Sequence, residues 1–117
     1  MLPNAVVHAE FYEDVKKLAM LCDEHDCRWV GGEETLNDND NWDSYGSDTA
    51  YFIEKNSISY ASVDYALGEY RSDSYYDDVR PTDPWLFLCS IDDYIAIVKG
   101  EATEDVAVDE KLLDALL

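Results

Sequence analysis

Cys22, His25 and Cys27 lie close enough together to suggest a metal site or a reactive thiol. A structural zinc site needs four ligands at suitable spacing, and the remaining candidates are the distant His8 and Cys89. The run Asp38-Asn39-Asp40-Asn41-Trp42-Asp43 has the look of a calcium loop. It departs from that pattern where Trp42 stands in place of an oxygen ligand, where the turn glycine is missing, and where Thr49 replaces the terminal Glu. His8 and His25 flank no nucleophile motif, and the chain has no G-x-S-x-G, P-loop or H-E-x-x-H. Paired carboxylates occur throughout, so no single pair marks a glycosidase-type site. The expectation is a protein that is not an enzyme and holds no metal or cofactor.

What stands out is acid together with aromatics. The 117 residues carry 27 Asp and Glu against eight Lys and Arg, a formal charge of −19. Direct binding to nucleic acid or to an anionic membrane surface needs the opposite sign and is excluded as a function class. Thirteen acidic residues and seven Tyr fall between positions 33 and 83. Tyr combines a rigid face with a hydroxyl, and carboxylates between such rings suit a surface that grips Arg and Lys by ion pairs and cation–π contacts. The candidate partner-binding residues are Asp38, Asp40, Trp42, Asp43, Asp73, Tyr75, Tyr76, Asp77 and Asp78. All are expected in loops, where a rigid scaffold presents them. The plainer reading is that many Tyr are sheet residues and the carboxylates a solvated face that keeps the chain soluble.

The elements that would position these residues follow from periodicity. Phe11, Val15, Leu18 and Cys22, with Leu21, predict an amphipathic helix over residues 9–26, with Glu10, Glu13 and Asp14 at its positive end. Cys27–Val30 reads as a short strand stopped by Gly31-Gly32, and residues 33–47 as a long polar loop. Thr49–Glu54 and Ser57–Ala61 flank Lys55-Asn56 as a hairpin, with Ile53 and Ile58 inward and Ser57 and Ser59 toward solvent. Residues 62–71 fit either a helical turn or a continuing strand, and 69–84 read as irregular and acidic. Trp85–Cys89 is wholly apolar and predicts a central buried strand. Ser90 is placed to cap a helix carrying Ile91, Tyr94, Ile95 and Val98 inward and ending at Gly100. Leu112, Leu113 and Leu116 mark a last helix near 108–117. Together these predict one α+β domain, residues 1–117, with a small, mainly antiparallel sheet under two or three helices.

Two sequence stretches resemble a type of short bacteriophage-encoded protein of unassigned function. One is Lys17-Leu18-Ala19-Met20-Leu21-Cys22-Asp23-Glu24 followed by Cys27-Arg28-Trp29-Val30-Gly31-Gly32-Glu33; the other is Thr49-x-Tyr51-x-Ile53 followed by Ile58-x-Tyr60. The likeness spans about a third of the chain. In size and charge the chain is also similar to the acidic phage proteins that imitate DNA to block restriction or CRISPR enzymes. That resemblance implies an inhibitor whose carboxylates occupy the basic groove of a nucleic-acid-binding enzyme or nuclease. The alternative is an immunity protein that neutralises a basic nuclease toxin. Three cysteines, an odd number, and no charged leader followed by a long apolar stretch lead to the expectation of free thiols in a reducing bacterial cytoplasm, with no membrane partner.

Overall fold

Residues 2–71 and 87–100 are described by a computed structural model. In chain order they form β1 (Ala5–Ala9), α1 (Tyr12–Glu24), β2 (Arg28–Trp29), β3 (Thr49–Glu54), β4 (Ser57–Ser62), α2 (Val63–Arg71), β5 (Phe87–Ser90) and α3 (Ile91–Val98). The hairpin forms at Lys55 and Asn56, whose φ angles of +49° and +61° are those of a primed two-residue turn. That turn fixes the antiparallel register Glu54↔Ser57 and Ile53↔Ile58, and both isoleucines are fully buried as expected. Ser57 and Ser59 are half-buried instead of facing solvent, because a helix, α2, packs on that face of the hairpin. Of the segment left open at 62–71, Ser62 ends β4 and Val63–Arg71 is helical, with Ser62 Oγ accepting from Tyr65 N–H at 3.1 Å.

The strand order is β2-β4-β3-β1-β5. The longer registers, β1 with β3 and β3 with β4, are antiparallel, while β5 and β2 add short parallel pairings at the two edges. Two helices cover one face. Val15, Leu18, Leu21 and Cys22 of α1 and Ile91 and Tyr94 of α3 pack there on Val7, Tyr51, Ile53 and Ile58. On the other face Val63, Ala66 and Leu67 of α2 meet Val6, Ala50, Phe87 and Leu88. This is an α+β domain with a five-stranded sheet and three described helices.

Three sequence expectations change. The helix expected from residue 9 begins at Tyr12, because Ala5–Ala9 is a strand inserted beside the hairpin. Phe11 is the N-cap, 60% exposed, and not part of the apolar stripe. The strand expected to be central ends at Ser90 and lies at the edge of the described sheet, buried because helices cover both of its faces. Its register with β1 skips a residue: Val6 faces Phe87 and Val7 faces Cys89. The extra residue, Leu88, takes φ +54° and sends its side chain to the same core cluster as Phe87. Third, residues 33–47 are not an open loop. Leu36 is 1% exposed, Trp42 is half-buried, and two short 3₁₀ turns span Trp42–Ser44 and Gly46–Asp48. The helix end is as read: Ser90 Oγ accepts from Asp93 N–H at 3.1 Å, and Gly100 stands at φ +72°. The remainder of the acidic stretch (72–84), Trp85, Leu86 and the expected helix at 108–117 lie outside the described residues.

Asn56 ties this architecture together through its side chain as well as its backbone angle. Its Oδ1 accepts from Leu2 N–H at 3.1 Å, and its Nδ2 donates to the carbonyls of His25 at 2.9 Å and Asp26 at 3.4 Å. Asn56→Gly keeps the turn geometry and removes those bonds, and is expected to lower stability by about 1–3 kcal/mol in urea unfolding. A midpoint equal to that of the parent would show that the ties carry no stability.

Candidate functional site

The registers Ala9↔Thr49, Thr49↔Ser62 and His8↔Ser90 bring the C-terminal ends of β1, β4 and β5 to one end of the sheet. From that end α1, α2 and α3 all depart. Each opens on acid: Glu13 and Asp14 in α1, Asp64 in α2, Asp92 and Asp93 in α3. Glu10 precedes α1, and Asp48 enters β3 at the same end. Placing carboxylates there is locally favourable, since each helix presents its positive dipole end and unsatisfied N–H groups. Asp14 accepts from Phe11 N–H at 3.0 Å, and Asp92 pairs with Lys17 of α1 at 2.9 Å. Glu10, Glu13, Asp48 and Asp64 remain solvent-exposed.

The long loop lies against the α1 side of this end, and aromatic donors hold it. Tyr51 Oη donates to the carbonyl of Asp40 at 2.6 Å, Trp29 Nε1 to that of Asn39 at 2.7 Å, and Trp42 Nε1 to that of Ala9 at 3.0 Å. His8 Nε2 meets the carbonyl of Ser47 at 2.7 Å, and Asn37 Nδ2 donates to the Asp23 carboxylate. The rings also pack edge-on, Tyr12 with Trp42 at 5.6 Å and Trp29 with Tyr60 at 5.8 Å, while Tyr45 lies against Tyr60 at 5.9 Å.

Of the residues selected from sequence, Asp40 and Trp42 come together. Asp40 accepts from Tyr12 Oη at 2.9 Å and from Trp42 N–H at 2.9 Å. Trp42 is thus a pin of the loop more than an outward anchor. Asp38 is exposed but accepts from both Thr35 N–H (2.9 Å) and Thr35 Oγ1 (3.1 Å). Asp43 is exposed in the first 3₁₀ turn. Asp73, Tyr75, Tyr76, Asp77 and Asp78 lie outside the described residues. Sequence reading overlooked Tyr12, an exposed ring at the start of α1, with Lys16 Nζ 5.4 Å above it. The signal was its position one turn before the apolar stripe, beside the acidic first turn.

The hydrogen bond that Tyr12 donates to Asp40 and the charge of that carboxylate raise the Tyr12 phenol above its ordinary value. The Thr35 backbone and side-chain bonds hold Asp38 below its own. Among the described residues no group of three His, Cys, Asp or Glu is arranged to hold a metal ion, and no helix is long and apolar enough to cross a membrane. A shallow groove of about 190 Å³ between α1 and α3 is lined by Lys17, Met20, Leu21, Glu24, Ile95 and Lys99. Comparison with known proteins finds no matching family, no similar curated protein and no similar solved structure.

Two solution measurements follow from this electrostatic arrangement. Screening by salt weakens repulsion among like charges, so the thermal midpoint is expected to rise as NaCl increases from low ionic strength to about 0.5 M. A fall would show that local pairing outweighs the net charge. Because Asp38 titrates below its ordinary value of 3.8 when folded, the stability it contributes is complete above that value and is lost as pH falls through the lower folded value. Asp38→Ala is therefore expected to be less stable than the parent at neutral pH, with the gap closing as pH falls below 3.8 in urea titrations. A gap independent of pH would assign the effect to something other than the ionised carboxylate.

Proposed function

We propose that this chain is a phage-encoded inhibitor of the anti-CRISPR or anti-restriction kind, which occupies the basic nucleic-acid-binding surface of a host defence enzyme by imitating DNA. The observation that carries the reading is the uncompensated acid. Even if every Lys and Arg took one carboxylate, nineteen acidic side chains would be left without a basic partner. Exposed members of that excess, Glu13 and Asp64, stand at the starts of α1 and α2 at one end of a packed sheet, with Glu10 and Asp48 beside them. Arg and Lys lining a DNA groove pair with such carboxylates by charge-assisted hydrogen bonds. Attraction of this kind speeds encounter and weakens with salt.

The test is affinity capture from bacterial lysate on the immobilised full chain, washed at low and high salt, with and without excess duplex DNA. A nucleic-acid-binding enzyme that salt weakens and DNA displaces is the expected capture. A small nuclease toxin captured in its place would favour the immunity reading. A partner held equally well with DNA present would overturn mimicry, and no capture at all would leave solubility as the use of the charge.

A further inference from the structure

The C-terminal end of α1 is closed by a motif that aligns two thiols. Asp26 stands in the left-handed region at φ +54°; Asp26 N–H donates to the Asp23 carbonyl at 3.4 Å and Cys27 N–H to the Cys22 carbonyl at 2.9 Å. These are the paired bonds of a Schellman cap, in which the side chains of the third-last helical residue and of the second residue past the cap touch. Apolar side chains ordinarily make that contact. Here the two positions are Cys22 and Cys27. Both are fully buried in the one cluster beneath α1 and unbridged.

We propose that Cys22 and Cys27 are an oxidation site that closes reversibly into an intrachain disulfide, clamping the end of α1 to the start of β2. The electron acceptor is a small-molecule disulfide such as oxidised glutathione. Cys27, as thiolate, attacks one of its sulfurs, expels one glutathione and forms a mixed disulfide. Cys22 then loses its proton and attacks the Cys27 sulfur, which expels the second glutathione. Two protein thiols become one disulfide, and one small disulfide becomes two thiols. The neighbouring thiol and burial push Cys22 up, while the contact with Cys22 holds Cys27 below the ordinary thiol range. Access comes through the cap itself. Glu24 and Asp26 there are exposed and His25 is half-buried, and a helix end opens locally once the Asn56 and Asn37 side chains release it. Cys89 lies in β5, its thiol donating to the Val6 carbonyl at 3.8 Å.

This inference does not depend on the identity of any binding partner, and neither does its test. The full chain is incubated with oxidised glutathione, blocked with an alkylating agent and digested without reduction. The expected product is the peptide Leu18–Arg28 two hydrogens lighter and unalkylated, with Cys89 alkylated and dithiothreitol reversing the change. Circular dichroism is expected to stay native, with amide exchange at Cys27 slowed at least about tenfold. A persistent glutathione adduct, a bridge involving Cys89, three alkylated thiols, or bridging only with loss of the native spectrum would each overturn the proposal. Cys89→Ala, which leaves the pair intact, should bridge as the parent does; failure to bridge in that variant would also count against it.

Discussion

A chain with a formal charge of −19 folds only if its packing outweighs the mutual repulsion of its carboxylates. Most of the architecture follows from that constraint. The sheet is covered on both faces, so that side chains as large as Tyr51, Phe87 and Tyr94 lose essentially all contact with water. With eight cations in the chain, ion pairs such as Lys17–Asp92 and Arg28–Asp26 compensate only a few acids. Neutral donors do much of the remaining work. Asp14, Asp38 and Asp40 accept from the backbone N–H groups of Phe11, Thr35 and Trp42, Asp40 also from a phenol, and Asp23 from an amide. Such bonds satisfy a carboxylate without cancelling its charge, so the fold becomes ordered while its field remains negative.

That distinction bears on what the surface can do. An acid paired with Lys has its charge cancelled locally, whereas one held by N–H groups keeps its charge available to a third party. Helix starts are the strongest places in a protein to do this, and the sheet registers gather three of them at one end. A cationic partner meeting that end would find carboxylates on packed elements, with less conformational freedom to lose on binding than long acidic side chains in a loose coil. This is the physical basis for favouring a binding role over charge serving solubility alone.

The sequence was legible wherever local chemistry decides structure. The Lys55-Asn56 turn, the inward Ile53 and Ile58, the Ser90 cap, Gly100 and the middle of α1 all follow from spacing a few residues long. It was opaque where tertiary partners decide. Ala5–Ala9 is too short to show a period, and becomes a strand because β3 on one side and β5 on the other complete its hydrogen bonding. Phe87 to Cys89 looked central because it is apolar throughout, yet helices cover an edge strand just as thoroughly. The loop's Asn and Asp spacing announced turns correctly but not that Leu36 and Trp42 would pin it to the core. Asp38, Asp40 and Trp42 were selected as outward-facing residues, yet much of their hydrogen bonding holds the loop itself.

The end of α1 joins these themes, because three otherwise separate parts of the chain meet on the same five residues. The carbonyls of His25 and Asp26 receive the Asn56 amide from the hairpin, the Asp23 carboxylate receives Asn37 from the loop, and Cys27 leads directly into β2. Opening the cap therefore loosens the hairpin turn and the loop at once, and covalent closure restrains both. Since the loop packs through Trp42 onto Ala9 and Tyr12, at the acidic end of the sheet, a change at the buried thiols has a continuous packed route to the surface proposed to bind. The opposite end of α1 is the start of that surface, so a single thirteen-residue helix spans from the thiol pair to the carboxylates.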